Sequence, residues 1–276
     1  MNVSPEDLEK ASRLAREAGA VVMRVYGTDF GVDWKGKADP VTQADREANE
    51  WIVKGIRELF PGDGIVAEES ADRADQERGG RVWFVDPLDG TKEFIARNGE
   101  FSIMLGLAVD ARATLGVVYR PTEDTLWAGL VGRGAWVERG GERRSVTVSE
   151  VGDLRRQRLV VSRSHASPLT DEMCRVLGIT ERRPSGSVGI KVGLIVEREA
   201  DLYVHPTDRS SLWDACGPDA VLTAAGGCFT GLDGEPIVYG GTNPKNRKGI
   251  VASNGRRHAE VVAVISKLAR DAGILG

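Results

Sequence analysis

The run Val82-Trp83-Phe84-Val85-Asp86-Pro87-Leu88-Asp89-Gly90-Thr91 joins an apolar segment to a pair of acids. Val82 to Val85 reads as a buried strand, so Asp86 emerges at its buried end. Pro87 and Gly90 predict a tight turn that swings Asp89 back toward Asp86. Two carboxylates so close repel one another, and burial raises the cost. A proton on one of them or a cation between them relieves it. No His or Cys stands nearby, and oxygen-only ligands favour a hard ion such as Mg²⁺ or Mn²⁺. Lys92 to Ala96 is compatible with a helix, and backbone N–H groups at Gly90 and Thr91 would form a phosphate cradle ahead of it. The same residues also spell ordinary turn chemistry, since Asp-Pro and Asp-Gly both start turns.

Three other segments carry acids in awkward places. Glu68-Glu69-Ser70 follows the apolar run Gly64 to Ala67. Asp214 sits beside Trp213 at the start of an Ala-rich, apolar helix, and Asp45 lies in the first turn of a helix from about Thr42 to Phe60. Each has a local explanation: a solvated loop, a helix cap or first-turn acid, and a Thr42–Asp45 capping box. Their combination, in this order and in these settings, points to a metal-assisted phosphate site.

Elsewhere Ser4-Pro5-Glu6 opens a helix that ends near Gly27, with Leu8, Ala11, Leu14, Ala15, Ala18, Val22 and Val25 at helical spacing. Gly31 to Asp39-Pro40 reads as turn-rich. The apolar face of the 42–60 helix is expected to be Ala44, Ala48, Trp51, Ile52, Ile56 and Leu59. Ser102 to Val109, Leu115 to Arg120, Thr125 to Leu130 and Gly134 to Glu138 read as an antiparallel meander. From Leu159 strands and helices alternate: strands at 159–162, 200–204 and 249–252, and helices at 167–177, 188–197, 214–225 and 257–272. A soft boundary near 150–157 divides the chain into 1–155, an α+β half with an antiparallel sheet and metal-binding loops, and 156–276, an α/β half with substrate-recognition segments.

The chain has 276 residues, a formal net charge of −4 and three cysteines without CxxC spacing. The charge is too mild to argue for a nucleic acid polymer as partner. The cysteine count argues against a disulfide framework or zinc site and fits a reducing cytoplasm. No run reaches the roughly 18 apolar residues of a membrane span, so no membrane partner is expected.

The segments Asp39-Pro40-Val41-Thr42-Gln43-Ala44-Asp45, Glu68-Glu69-Ser70, Trp83 to Thr91, and Trp213-Asp214-Ala215-Cys216-Gly217-Pro218-Asp219-Ala220 with Ala225-Gly226-Gly227 resemble the inositol monophosphatase superfamily of lithium-sensitive Mg²⁺ phosphatases. The resemblance implies an α/β (α+β) fold, a layered αβαβα sandwich of the inositol monophosphatase or sugar phosphatase type. It implies two or three Mg²⁺ ions, held by Glu68, Asp86 and the Leu88 carbonyl and by Asp86, Asp89 and Asp214. It also implies Asp45, Thr91 and Glu68 as catalytic residues, with Thr91 paired to Asp45 to activate water. Relatives of that superfamily are often dimers, so a homodimer is the assembly implied.

Within the superfamily, Asp89-Gly90-Thr91-Lys92-Glu93-Phe94 looks like the 3′(2′),5′-bisphosphate nucleotidases. Ser162-Arg163-Ser164-His165 and Gly186-Ser187-Val188-Gly189-Ile190-Lys191 lean the same way. Gly90, Thr91, Ser164, His165, Ser187 and Lys191 are therefore the expected contacts of a small phosphorylated metabolite. The implied reaction is removal of the 3′-phosphate of adenosine 3′,5′-bisphosphate. Inositol phosphate, histidinol phosphate and sugar phosphates are the competing substrates. One departure stands out: such nucleotidases often carry Arg where this chain has His205, and Arg209 is the candidate to replace it.

Overall fold

The structure, a computed structural model, describes residues 3–36, 39–70, 80–164, 167–208, 210–241 and 243–275. Helix α1 (Pro5–Tyr26) begins at a reciprocal cap: Ser4 accepts from the Asp7 N–H and Asp7 accepts from the Ser4 N–H. A hairpin, β1 (Val32–Gly36) with β2 (Asp39–Thr42), follows where turns alone were expected. Its alternation is too short, and too broken by Lys and Gly, to stand out from loop sequence. Helix α2 (Gln43–Leu59) is capped by Thr42 and Asp45 and buries Ala44, Ala48, Ile52 and Ile56. Trp51 and Leu59 depart from the expected apolar face, at 48% and 36% exposed. Trp51 lies on the flank of the buried arc, where its ring N–H reaches Glu17 on α1 at 3.4 Å. Leu59 is the last helical residue.

Next come β3 (Gly64–Ala67), β4 (Arg81–Asp89), the short helix α3 (Thr91–Ile95), β5 (Ser102–Val109), β6 (Arg112–Arg120), β7 (Thr125–Leu130), β8 (Gly134–Arg139) and β9 (Glu142–Val146). They form one sheet in the order β3-β4-β5-β6-β7-β8-β9. It is an antiparallel meander from β4 onward. At the edge beyond the expected antiparallel meander, β3 pairs parallel to β4. The second half supplies β10 (Leu159–Ser162), α4 (Pro168–Leu177), β11 (Arg182–Ser185), α5 (Val188–Val196), β12 (Leu202–His205), β13 (Ser210–Ser211), α6 (Leu212–Ala224), β14 (Cys228–Thr230), β15 (Lys245–Asn246), β16 (Ile250–Ser253) and α7 (His258–Asp271). A mixed sheet runs β11-β10-β12-β16-β14.

Five layers result. Apolar faces of α1 and α2 cover one side of the seven-stranded sheet, through Leu14, Ala18, Ile52 and Ile56 against Val85, Leu105 and Val117. Helices α5 and α6 fill the space between the two sheets. Helices α4 and α7 cover the outer face of the second sheet, with Met173 and Ile265 against Leu202 and Val251. This is the αβαβα sandwich expected from sequence. Among the described residues no helix is long and apolar enough to cross a membrane.

The central contact is unusually close. Gly106, Gly116 and Gly129 are cross-strand neighbours on β5, β6 and β7. A Cβ at Gly116 would lie 2.1 Å from the Gly217 carbonyl oxygen, and one at Gly106 would lie 2.4 Å from the Gly217 nitrogen. The row is thus a trough in the sheet that receives the backbone of α6. Pro218 follows Gly217 inside that helix, so the N–H that would close on the Asp214 carbonyl is missing. Farther along α6, Asp219 accepts hydrogen bonds from the Tyr239 hydroxyl at 2.8 Å and from Thr223 at 3.0 Å. Tyr239 meets Phe84 edge-on, which ties the segment after β14 to the first sheet.

Two stability predictions follow from α6. Because a Gly116 side chain meets backbone, Gly116→Ala should cost about 3 kcal/mol. Thermal unfolding should then fall by roughly 6 °C or more. Burial raises the Asp219 carboxyl to about 7, against the hydrogen bonds from Tyr239 and Thr223. Its ionised form is therefore disfavoured in the fold, and the cost grows as pH rises from the ordinary carboxylate range to 7. Asp219 is only partly withdrawn from water, so ~1 kcal/mol is the appropriate scale. Asp219→Asn should raise the unfolding temperature by about 2–4 °C at pH 8, with the gain gone near pH 4. A gain that persists at pH 4 would contradict this assignment.

Candidate active site

Parallel pairing aligns the carboxyl ends of β3 and β4. The Glu68 N–H donates to the Val85 carbonyl at 3.1 Å, so Glu68 stands beside Asp86. The turn expected after Val85 is not there. Strand β4 continues to Asp89, and its register against β5 shifts between Asp86↔Met104 and Asp89↔Ser102. Three residues advance on β4 while two advance on β5, so one extra residue is accommodated. In an unbroken strand, positions three apart point to opposite faces. The bulge reverses that parity and brings Asp86 and Asp89 to the same side. Pro87 is tolerated there because a bulge frees it from the ladder. The Leu88 N–H donates to Asp86 at 3.0 Å and steadies the bend.

Asp86 is 2% exposed. Burial pushes its carboxyl well above the usual range, and the charges of Glu68, Asp89 and Asp214 push it further. Asp214 is also driven up, by burial and then by Glu68 and Asp89, against the Ser211 N–H and Lys245. Asp214 reaches this cluster from the first turn of α6, where it accepts from the Ser211 N–H at 2.7 Å. Asp89 is raised by burial, opposed by Lys191, Ser187 and the N–H groups of Gly189 and Val188. Four acids from β3, β4 and α6 thus share one field. Among the described residues no three acid, His or Cys side chains already converge as a ligand cage. The fit to a cation rests on the donor set, which is all oxygen, and on the mutual charge that raises Asp86 and Asp214. Glu68, Asp86, Asp89 and Asp214 could hold a hard divalent ion.

Thr91 donates its hydroxyl to Asp45 Oδ1 at 3.0 Å, with the Leu88 carbonyl at 3.3 Å. Asp45 is 2% exposed, and burial raises its carboxyl against hydrogen bonds from Thr42 and Thr91. Its other oxygen takes the Thr42 N–H at 2.7 Å and the Thr42 hydroxyl at 2.6 Å. The capping explanation and the site explanation therefore hold together, one on each oxygen. Gly90 has φ 99°, and a Cβ there would lie 3.1 Å from the Glu100 carbonyl, so glycine is required at the mouth of α3.

The expected substrate contacts are more internal than their sequence setting suggests. Ser187 caps α5 with φ 48°, a strained value for a non-glycine residue. Its hydroxyl reaches Asp89 at 2.6 Å and Ser102 at 2.8 Å. Lys191 is 3% exposed, and its ammonium donates to the Ser187 carbonyl at 2.8 Å. Burial lowers it to about 8, against Asp89, Glu93 and Glu100. Ser164 is exposed and donates its hydroxyl to Glu93. His165 and Arg209 lie outside the described residues. His205 ends β12, its ring stacked on Tyr203 at 6.1 Å.

Four residues of this neighbourhood had no functional signal in the sequence beyond a family likeness at Glu93. Glu100 accepts a two-pronged contact from Arg163, at 2.6 and 2.7 Å, and the Gly186 N–H at 2.7 Å. Ser102 is fully buried and holds Ser187. Lys245 donates to Ser211 at 3.2 Å and sits over the Trp213 ring. Only the strand register and the packing of α5 and α6 bring these together.

Comparison with known proteins agrees with this architecture. The model of the inositol monophosphatase family matches residues 4–270. The chain is 38% identical over 237 residues to the 3′(2′),5′-bisphosphate nucleotidase CysQ of Escherichia coli K12, covering 84% of this chain and 93% of that protein. It is 31% identical over 266 residues to a histidinol-phosphatase of Mycobacterium tuberculosis, covering 94% and 98%. Among solved structures, an IMPase of Thermotoga maritima superposes with a TM-score of 0.81 at 29% identity, covering 96% of this chain and 99% of that one. CysQ from Bacteroides thetaiotaomicron superposes with a TM-score of 0.77 at 29% identity, covering 91% and 98%.

The charge pattern predicts the behaviour of Asp86→Asn. An acid whose folded form resists ionisation costs stability once pH exceeds its unfolded value. With chelator present at pH 7.5, Asp86→Asn should therefore unfold at least a few degrees above the parent protein. Added Mg²⁺ should raise the parent's unfolding temperature by mass action and leave the variant nearly unmoved. Equal Mg²⁺ responses in the two proteins would remove Asp86 from the cation site.

Proposed function

The chain belongs to the inositol monophosphatase family and is a phosphatase, and from that premise we propose that it removes the 3′-phosphate of adenosine 3′,5′-bisphosphate to give AMP and phosphate. The observation that carries the chemistry is the buried Asp86 carboxyl facing Glu68, Asp89 and Asp214 beside the Asp45–Thr91 pair. What favours the nucleotide is the 38% identity to a 3′(2′),5′-bisphosphate nucleotidase, together with the resemblance of Asp89-Gly90-Thr91-Lys92-Glu93-Phe94 to that group.

In this reading Glu68, Asp86, the Leu88 carbonyl, Asp89 and Asp214 would hold two or three Mg²⁺ ions. When bound, such ions neutralise the non-bridging phosphate oxygens, make water more acidic and steady the leaving oxygen. The Thr91 hydroxyl donates a hydrogen bond to Asp45, so its oxygen faces the attacking water as an acceptor, and the water's proton can pass to Thr91 as the Thr91 proton passes to Asp45. Asp45 orients that hydroxyl and takes up the developing charge through it. Gly90 and Thr91 open α3, where first-turn N–H groups lack partners within the helix and suit a phosphate oxygen. The substrate is a small phosphorylated metabolite rather than a polymer, and the superfamily resemblance favours a homodimer as the assembly. A second reading has one specific observation behind it: the 31% identity to a histidinol-phosphatase extends over 94% of the chain.

A phosphate-release panel in excess Mg²⁺ tests the substrate, with adenosine 3′,5′-bisphosphate, inositol phosphate and histidinol phosphate as arms. The nucleotide should have the largest kcat/KM, and a larger value for either competitor rejects it. Thr91→Val tests the mechanism. It should lower kcat by roughly 10²–10⁴-fold while the Mg²⁺-induced rise in unfolding temperature stays. A protein that only bound the metabolite would show no such loss.

A further inference from the structure

Glu93 is 5% exposed, an acid withdrawn from water directly behind the Gly90–Thr91 turn. Its partner is the hydroxyl of Ser164, just beyond the end of β10. Closely packed neighbours leave the carboxylate little freedom. A Cβ at Gly186 would lie 2.5 Å from Glu93 Cγ, and one at Gly90 would lie 3.4 Å from Glu93 Oε2. The two glycines thus form a slot that fits this side chain.

A carboxylate has acceptors and no donor, and a serine hydroxyl has a single proton. The Ser164 proton therefore lies on the line to Glu93. What Ser164 presents outward, from an exposed position, is an oxygen with lone pairs. A phosphate oxygen also brings lone pairs and gains nothing there. The nearby cations have partners of their own: the buried Lys191 donates to the Ser187 carbonyl, and Arg163 is forked on Glu100. A group that carries its own proton is the complement of Ser164 as this structure holds it.

We propose that Glu93 is a positioning and specificity-determining residue, which takes the Ser164 proton so that Ser164 accepts a hydrogen bond from a donor on the nucleotide, a ribose hydroxyl or a purine amino group. The sequence marked Ser164 only as a contact of the phosphorylated metabolite, without the sign of its hydrogen bond. This inference rests on the nucleotide reading above and adds to it the sign of one contact.

The test compares adenosine 3′,5′-bisphosphate with two analogues, its 2′-deoxy form and the inosine form that lacks the amino group. In the parent protein one analogue should lose about five- to tenfold in kcat/KM, chiefly through KM, as one hydrogen bond is withdrawn. That analogue identifies the donor. In Glu93→Gln the carboxylate is replaced by a neutral amide that can donate as well as accept, so the Ser164 proton is no longer held in one sense and the preference should shrink to within about twofold. Ser164→Ala should do the same, and the double substitution should go no further, as coupled residues do. Ser164 is exposed, so that variant carries the test if Glu93→Gln fails to fold. A Glu93 that merely braces the fold would lower all three substrates by a common factor and keep their ratios, which overturns the proposal. Equal use of all three substrates by the parent also overturns it while leaving the nucleotide reading intact. If the parent releases phosphate from inositol phosphate and not from the bisphosphate, the nucleotide reading itself fails.

Discussion

At Gly217 the backbone of α6 lies directly against the backbone of the first sheet, with only small neighbours such as Ala220 and Ala224 beside the contact, and the position of the site follows from it. Gly106, Gly116 and Gly129 remove the Cβ layer that normally separates a helix from a sheet. Helix axes ordinarily stand well off their neighbours because side chains intervene. Here Gly217 approaches β5 and β6 directly, and the first turn of α6 is carried in toward the end of β4. Asp214 is thereby brought within the field of Asp89 and Glu68, although well over a hundred residues separate it from either in the chain. The same contact makes α6 common to both sheets, so the two halves share a single central core.

Acids in such a setting oppose folding unless something else orients them. Each candidate acid described in detail is held by groups that have a structural use of their own. Asp45 and Asp214 complete reciprocal caps at the starts of α2 and α6. Asp89 lies across the start of α5, where it takes the Ser187 hydroxyl and the Val188 and Gly189 N–H groups. Asp86 takes the Leu88 N–H. These bonds direct each carboxylate and leave part of its accepting capacity for the cleft. Helix starts carry partial positive charge, which further tolerates the acids there. Capping and chemistry are therefore successive uses of the same side chains.

Long periodic elements were legible because many residues vote on one face. Helix α1 ends within a residue of its sequence expectation, and the meander strands begin and end close to theirs. Short or irregular elements were not. The β1–β2 hairpin offers too few alternating positions. Trp51 fits the helical stripe of α2 and yet lies on its flank, because an amphipathic ring can satisfy both core and water. The bulge in β4 read as a turn, since Pro and Gly mark both.

For the site, the identities of the acids were readable through motifs, and so was the Thr91–Asp45 pair through resemblance. The polarity of the surrounding hydrogen bonds was not. Ser164, Ser187 and Lys191 were read as ligand contacts, and the structure gives each a protein partner as well: Glu93 for Ser164, Asp89 for Ser187 and the Ser187 carbonyl for Lys191. The sequence by itself determined the long helices, the meander strands and which acids stand at the ends of elements, because those signals are local and repeat along the chain. Only the tertiary structure decided which acids share a field and where each hydroxyl sends its proton. Both depend on groups distant in sequence, brought within a few ångströms by strand register and by the glycine trough.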